Sequence, residues 1–223
     1  MRPWISTTLL LLLAANTSWF VVYSAQLGWQ AVTAEEPGAV SRVFAETSAL
    51  ASFAVALHMI SGALLTIAAP LQAMPPLRRY WPGVHRRAGY MIYVLALLTG
   101  AGGLIYIAAN GTVGGLWMSF WFAVYGLALG VSAYKTVAYA RQRDMARHFA
   151  WATRLVILAV GSWIYRMHYG LWFMTMKGAG VQPDFKGLFD LIQVFAFFVP
   201  YLLIAEVLLR RSRAKQSGAV QSA

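Results

Sequence analysis

The chain has 223 residues, of which 60% are hydrophobic, and it carries a net charge of +11 with no cysteine. The hydrophobic share exceeds the roughly 45–50% that is usual for soluble domains, so the composition indicates a membrane protein. The lack of cysteine excludes disulfides, thiolate metal sites, cysteine-ligated iron–sulfur clusters and cysteine nucleophiles.

Six apolar stretches follow one another along the chain, each long enough, at ~20 residues or more, to cross a hydrocarbon core. They cover residues 5–29, 47–73, 88–109, 116–138, 149–174 and 188–209. With their short connections they fill residues 1–210, which predicts one domain, an all-α integral membrane six-helix bundle. Residues 211–223 are predicted to form a short basic cytoplasmic tail without order.

The cationic residues lie on alternate connections. With the amino terminus inside, beginning at Arg2, all 18 lysines and arginines fall on the inner side except Arg42, Arg166, Lys177 and Lys186. This is the positive-inside pattern, and it predicts a multi-pass protein of the bacterial inner membrane with both termini cytoplasmic. Membrane lipids with anionic headgroups account for the basic charge, so no nucleic-acid partner is predicted.

The second span carries His58 near its middle, on a face of small residues at helical spacing. The other members of this face are Ala51, Ala54, Val55, Ser61, Gly62, Leu65 and Ala69. The face predicts either a groove for the edge of a planar cofactor or a close helix contact. In the second case His58 donates one hydrogen bond across the bundle.

The third span begins with His85 and Arg86 and continues as a stripe broken by glycines. In the fifth span His148 and Arg166 share one face, ~27 Å apart at ~1.5 Å per residue. His168 points roughly the other way and lines up with Arg154. We expect His58 and Arg166 to approach each other in the outer half, and His85 and His148 to meet at the inner surface.

Charged and imidazole side chains inside a bilayer are costly, so each is a site hypothesis. Two histidine pairs at different depths suit haem b, with neutral imidazoles as axial ligands and arginines near the propionates. The candidate cofactor-binding residues are His58, His85, His148, Arg86, Arg154 and Arg166, with the three histidines as metal ligands where haem iron is bound. The outer pair of axial ligands is incomplete. His58 would need His168 as its partner, but His168 does not share the helical face of Arg166.

Several motifs occur in a recognisable order along the middle of the chain. They are His58-x-x-x-Gly62 with Pro70-Leu71-Gln72, Pro82-x-x-His85-Arg86-x-x-Gly89-Tyr90, His148-x-x-Trp151-x-x-Arg154 and Tyr165-Arg166. Together they resemble a bacterial family of multi-pass membrane proteins that is defined only as a domain of unknown function. The resemblance covers residues 50–175, spans two to five, and leaves out spans one and six.

The resemblance implies that seven residues are motif positions, and His168 is not among them. They are His58, His85, Arg86, His148, Trp151, Arg154 and Arg166. A more distant analogy, from helix count and histidine depth, links the chain to cytochrome b561-like dihaem proteins. The histidines here do not fall one per helix as they do in that group.

The sequence thus predicts a small membrane protein with an intramembrane His/Arg site for redox or proton-coupled chemistry with haem b or a quinone. An alternative is a non-enzymatic accessory or structural subunit that binds partner membrane subunits, with these residues as packing groups. A third is a small transporter along the groove from His148 to Arg166. Against transport stands the lack of an acidic residue deep in the bundle and of an inverted repeat.

Overall fold

The computed structural model describes residues 3–44 and 47–221, and the regular elements within these ranges are all helical. Arg2 and the last two residues of the predicted tail lie outside the described residues. The helices are α1 (Pro3–Thr33), α2 (Pro37–Val40), α3 (Ala49–Gln72), α4 (Pro75–Tyr80), α5 (Pro82–Asn110), α6 (Gly115–Arg141), α7 (Met145–Ala159), α8 (Gly161–Met176), α9 (Leu188–Ala196) and α10 (Val199–Gln221), with a 3₁₀ turn at Arg42–Phe44.

Five segments of the described chain are long and apolar enough to cross a membrane. They are α1, α3, α5, α6 and the segment Leu188–Ser212 formed by α9 and α10. The predicted fifth span is not among them, because it is divided into α7 and α8, of 15 and 16 residues. The predicted all-α multi-pass membrane class is confirmed, and α7 with α8 roughly preserves the six-helix count.

Two predicted boundaries differ from the structure. The third span begins at Pro82 rather than residue 88, so His85 and Arg86 lie in the first turns of α5. Proline at the first helical position suits a helix start, because its missing N–H would have no partner there. The last helix continues to Gln221, so the tail that the sequence predicts to lack order extends α10 instead.

The break between α9 and α10 has a cause in the sequence. Proline has no N–H, and its ring clashes with the carbonyl four residues earlier. Pro200 stands four residues after Ala196, where α9 ends, and the turn at Phe197 and Phe198 joins the two helices. The sixth crossing is therefore bent rather than straight.

The break between α7 and α8 lies at Val160, and neighbouring helices satisfy the carbonyls beside it. The Tyr125 hydroxyl of α6 donates to the Leu158 carbonyl, and the Thr66 hydroxyl of α3 donates to the Ala159 carbonyl at 3.0 Å. Backbone groups inside a membrane require such partners, because no water is present to replace them. Side chains from α3 and α6 thus support the interrupted crossing.

The helix order around the bundle, which the sequence left open, follows from the packing. Helix α3 packs against α1, α5 and α7, and α6 packs against α5, α7 and α9. Helices α3, α5, α6 and α7 thus form a four-membered ring in which α5 and α7 lie opposite each other. We call the end with connections 73–81 and 142–144 the arginine-rich end, and the end with connections 111–114 and 177–187 the arginine-poor end.

The contact between α3 and α5 is close because two glycines of α5 leave room for it. A Cβ on Gly102 would lie 2.6 Å from the Ala54 carbonyl oxygen, and one on Gly103 would lie 2.9 Å from His58 Nδ1. The predicted small face of α3 is also buried, including Ala51 and Leu65. This packing brings His58 directly against α5.

Candidate functional site

A cavity of about 290 Å³ lies inside the bundle, lined by residues of α1, α3, α5, α6, α7 and α8. Its wall is mostly aromatic and aliphatic, and His58, Thr99, Tyr165 and Arg166 contribute polar groups. An apolar pocket with a few convergent polar groups is the usual form of a small-molecule site. A larger groove of about 400 Å³ between α7 and α10 carries none of the candidate residues.

One ring nitrogen of His58 is used for packing and the other is free. Nδ1 lies 2.8 Å from the Thr99 carbonyl oxygen of α5. A carbonyl only accepts, so Nδ1 carries the proton, and in the neutral ring Nε2 is then an acceptor. No described residue bonds Nε2, and His58 lines the cavity. The predicted hydrogen bond across the bundle is therefore present, and it leaves one acceptor available to a ligand.

Hydroxyl groups brace this histidine. Ser61 Oγ lies 2.9 Å from Thr99 Oγ1, and Thr99 Oγ1 donates to the Leu95 carbonyl at 2.7 Å. The contact between Ser61 and Thr99 joins α3 to α5 at the level of His58, and the bond to Leu95 orients Thr99 within α5. The orientation of the imidazole is consequently set by the helix contact and does not require a ligand.

Arg166 is a cation of the bundle interior without a carboxylate partner. Its Nη1 donates to the Ser162 carbonyl at 3.1 Å, and its Cζ lies 4.7 Å from the centre of the Phe20 ring. Within residues 3–44 and 47–221 no aspartate or glutamate pairs with it. An uncompensated charge at this depth is costly and favours an anionic or carbonyl oxygen nearby.

His58 and Arg166 are brought together. Both side chains line the cavity, and they are close enough for the Arg166 charge to act on the His58 imidazole. Tyr165 and Tyr125 line the same space. The expected approach of these two residues is therefore observed, whereas their use in binding a cofactor stays a prediction.

A second group of candidate residues lies at the arginine-rich end. His148 Nδ1 lies 2.9 Å from the Thr136 carbonyl oxygen, which leaves Nε2 without a described partner. His85 lies on α5, on the opposite side of the four-helix ring, and it is close enough to His148 for the two imidazoles to interact electrostatically. Gln72 Nε2 donates to the His85 carbonyl at 2.6 Å, while His85 Nδ1 and Gln72 Oε1 are buried and unpaired. Arg86 is exposed at this end.

Arg154 and His168 have their partners elsewhere. The Arg154 guanidinium pairs with Glu206 of α10 and lies 4.7 Å from the centre of the Trp151 ring. His168 Nδ1 lies 3.1 Å from Gln193 Oε1, and its Nε2 lies 2.7 Å from the Tyr201 hydroxyl. Both nitrogens of His168 are thus occupied, and neither partner is Arg154, with which the helical spacing had aligned it.

Asp190 is the polar residue that the sequence analysis missed. It is fully buried, with 0% exposure, near the arginine-poor end. Its Oδ1 accepts from the Tyr169 hydroxyl at 2.6 Å, and its Oδ2 accepts from the N–H groups of Gln182 and Gly187 at 2.9 and 3.0 Å. The only signal in the sequence was an acidic residue inside an otherwise apolar span, directly after Gly187.

These features define a polytopic α-helical membrane protein with a mostly apolar cavity inside its helix bundle that carries a few polar groups. The chain belongs to the family described as "Predicted membrane protein (DUF2306)", whose model matches residues 55–209. No curated protein and no solved structure matches it. The match confirms the resemblance to a membrane protein family of unknown function. It also corrects its extent, because the matched residues continue through α9 and into α10.

Proposed function

We propose that this protein binds a membrane-soluble quinone in the cavity between His58 and Arg166 and takes part in its oxidation or reduction. The observation that carries this proposal is an unpaired cation and a free imidazole acceptor on one apolar cavity inside the membrane. We place the protein in the bacterial inner membrane with both termini cytoplasmic, as its charge distribution favours.

The two polar groups have opposite hydrogen-bonding character, which suits the two states of a quinone. The Arg166 guanidinium only donates, so it pairs with a carbonyl oxygen of the oxidised ring. His58 Nε2 accepts, so it pairs with a hydroxyl of the reduced ring. Oxidation of a quinol releases two protons and two electrons. His58 is placed to accept one proton, while the second would pass to the aqueous phase and the electrons, one at a time, to the haem proposed below.

The size of the cavity favours a single ring over a macrocycle. At about 290 Å³ it is near the lower end of ligand pockets, which span roughly 300–1,000 Å³. A haem with two axial histidines also requires a second imidazole, and His58 is the one histidine among the residues that line this cavity. The outer site therefore supports a quinone better than a haem.

Binding of a decyl-substituted benzoquinone to the purified protein tests the proposal. Quenching of the fluorescence of the nine tryptophans reports the affinity. We expect His58→Ala to weaken binding about tenfold, the upper range for one neutral hydrogen bond. His168→Ala is the matched control, because both its ring nitrogens are paired away from the cavity, and it should bind as the native protein does. Absence of saturable binding by the native protein would reject the proposal.

A specific observation favours a second component, a b-type haem between His85 and His148. The two histidines lie across the ring from each other, His148 Nε2 is free, and His85 Nδ1 is buried without a partner. A buried polar atom without a partner indicates a missing ligand or water. Gln72, which bonds the His85 carbonyl, lies 14 residues from His58, or ~21 Å along the helix. A haem held by His85 and His148 would supply a one-electron donor or acceptor for a quinone in the cavity.

A visible spectrum of the purified protein, dithionite-reduced minus oxidised, tests the haem, together with a pyridine haemochrome assay. We expect a b-type signal that is lost in both His85→Ala and His148→Ala and retained in His168→Ala. A colourless protein expressed with ample haem supply would reject this component. If quinone binding were absent as well, an accessory subunit of a larger membrane complex would become the better account.

A further inference from the structure

The arginine-poor end of the cavity is closed by connections rather than by helices. Val43 of the 3₁₀ turn, Val113 of connection 111–114 and Phe185 of connection 177–187 all line the cavity. Connections at a protein surface are more mobile than the helices that they join. This end of the cavity is therefore closed by segments that move more readily than the helices do.

Asp190 holds connection 177–187 in place. Its buried carboxylate accepts hydrogen bonds from Gln182, within the connection, and from Gly187, at its end. It also accepts from the Tyr169 hydroxyl of α8, which ties the connection to the bundle. No lysine or arginine of the described ranges pairs with Asp190, so these three bonds carry its stabilisation. Ala179 and Gly180, nearer its start, are held separately by Trp172 Nε1 and the Phe189 N–H. Asp190 therefore fixes the second half of the connection, residues 182–187, which contains Phe185.

Phe185 has a strained backbone at the mouth of the cavity. Its φ is 57°, in the left-handed region that bulky residues rarely adopt. Its ring packs edge-on against Tyr169, with centroids 6.1 Å apart, and it lines the cavity. Such strain persists only where the surroundings hold the residue, and it concentrates at functional sites and switch regions.

The other contact across the mouth is weak. Arg42 Nη1 lies 3.5 Å from the Pro183 carbonyl oxygen, at the limit for a hydrogen bond. The 3₁₀ turn itself is held to α5, because the Tyr106 hydroxyl donates to the Val43 carbonyl at 2.8 Å. Movement of residues 182–187 therefore breaks little on the side of the 3₁₀ turn and depends mainly on the bonds to Asp190.

We propose that connection 177–187 is a gate between the cavity and the aqueous phase at the arginine-poor end. Phe185 blocks the mouth, and Asp190 is the latch that keeps the gate closed. Through this gate the site of the proposed function exchanges protons and small solutes with one side of the membrane. The gate rests on that function only for its purpose, since access to the cavity is measurable whatever the ligand is.

The chain contains no cysteine, so single cysteines report access without background. Ser162→Cys places a thiol on the cavity wall. Lys186→Cys, at a side chain that is 60% exposed, identifies the membrane face on which the connection lies. A membrane-impermeant maleimide is added to that face of sealed vesicles. We expect slow labelling of Ser162→Cys and fast labelling of Lys186→Cys.

Opening the gate should accelerate labelling at Ser162→Cys. We expect Asp190→Asn to raise the rate roughly ten- to a hundredfold, because it weakens hydrogen bonds to a charged group. Phe185→Gly should raise it as well, and this variant keeps the fold because glycine accepts the left-handed backbone without strain. Asp184→Asn, in the same connection but 51% exposed, is the matched control and should leave the rate unchanged.

Ser132→Cys, which is buried at 3% exposure and does not line the cavity, should stay unlabelled in every background, as a check of the fold. Equal labelling of Ser162→Cys and Lys186→Cys in the native background would overturn the gate. Protection of Ser162→Cys in every background would overturn it too, while labelling that follows the gate without any quinone binding would overturn only the proposed function.

Discussion

Replacement of Arg166 by glutamine is expected to weaken quinone binding roughly ten- to a hundredfold without loss of stability. A hydrogen bond to a charged group contributes roughly 1.5–3 kcal/mol, and each 1.4 kcal/mol is about tenfold in affinity. The unliganded protein loses little, because Arg166 has no carboxylate partner among the described residues. Removal of a buried, uncompensated charge also relieves its desolvation cost. Tryptophan quenching and thermal unfolding in the same detergent measure the two effects.

Arg154→Gln is the matched control for this prediction. Arg154 lies on the same crossing, but its guanidinium faces Glu206, which also bonds Arg210 at 2.9 Å. We expect native quinone affinity from this variant. The opposite pattern, a destabilised Arg166→Gln protein with native affinity, would assign Arg166 to packing and leave the cavity without its anchor.

Gly102→Ala is expected to destabilise the protein by roughly 1–3 kcal/mol, the usual cost of overpacking a close contact. The new Cβ would lie 2.6 Å from the Ala54 carbonyl oxygen and 3.0 Å from the His58 backbone nitrogen. Both are backbone atoms, so the strain is relieved only when α3 and α5 move apart. That movement lengthens the bond between His58 and Thr99, and quinone binding should weaken together with stability.

Gly130→Ala, in the interior of α6, provides the comparison for Gly102. A Cβ there meets nothing within 4 Å. The helix propensity of alanine should then leave stability unchanged or raise it by up to ~1 kcal/mol. Thermal unfolding of the two variants in detergent separates helix propensity from packing, and equal shifts would contradict the close contact between α3 and α5.

Span lengths and helical faces accounted for much of the architecture. Hydropathy predicted six crossings, and five described segments are long and apolar enough to be crossings. Pro200 explains the bend in the last one. The break at Val160 was not predictable, because no proline marks it. Its carbonyls are satisfied by Tyr125 and Thr66, which approach only in the folded bundle.

The candidate site was predictable for residues whose position follows from their helix face and their depth in the membrane. His58 and Arg166 share a level in the bundle and small-residue faces, and they meet on the cavity. Arg154 was a candidate cofactor-binding residue because of its depth and its place in the motif, whereas the structure pairs it with Glu206. Asp190 was missed because its role depends on the N–H groups of a connection that folds back over it. Such contacts depend on tertiary structure, which helical spacing does not encode.

The divided crossing of α7 and α8 has a consequence for how the chain enters the membrane. Each half is shorter than ~20 residues, and the pair carries Arg154 and Arg166. The free energy of insertion through the translocon rises by about 2.5–3.5 kcal/mol for an arginine at the centre of a helix. The counter-charge of Arg154, Glu206, lies on α10, which the ribosome synthesises later. We therefore expect the last two crossings to enter the lipid together, as one helical hairpin.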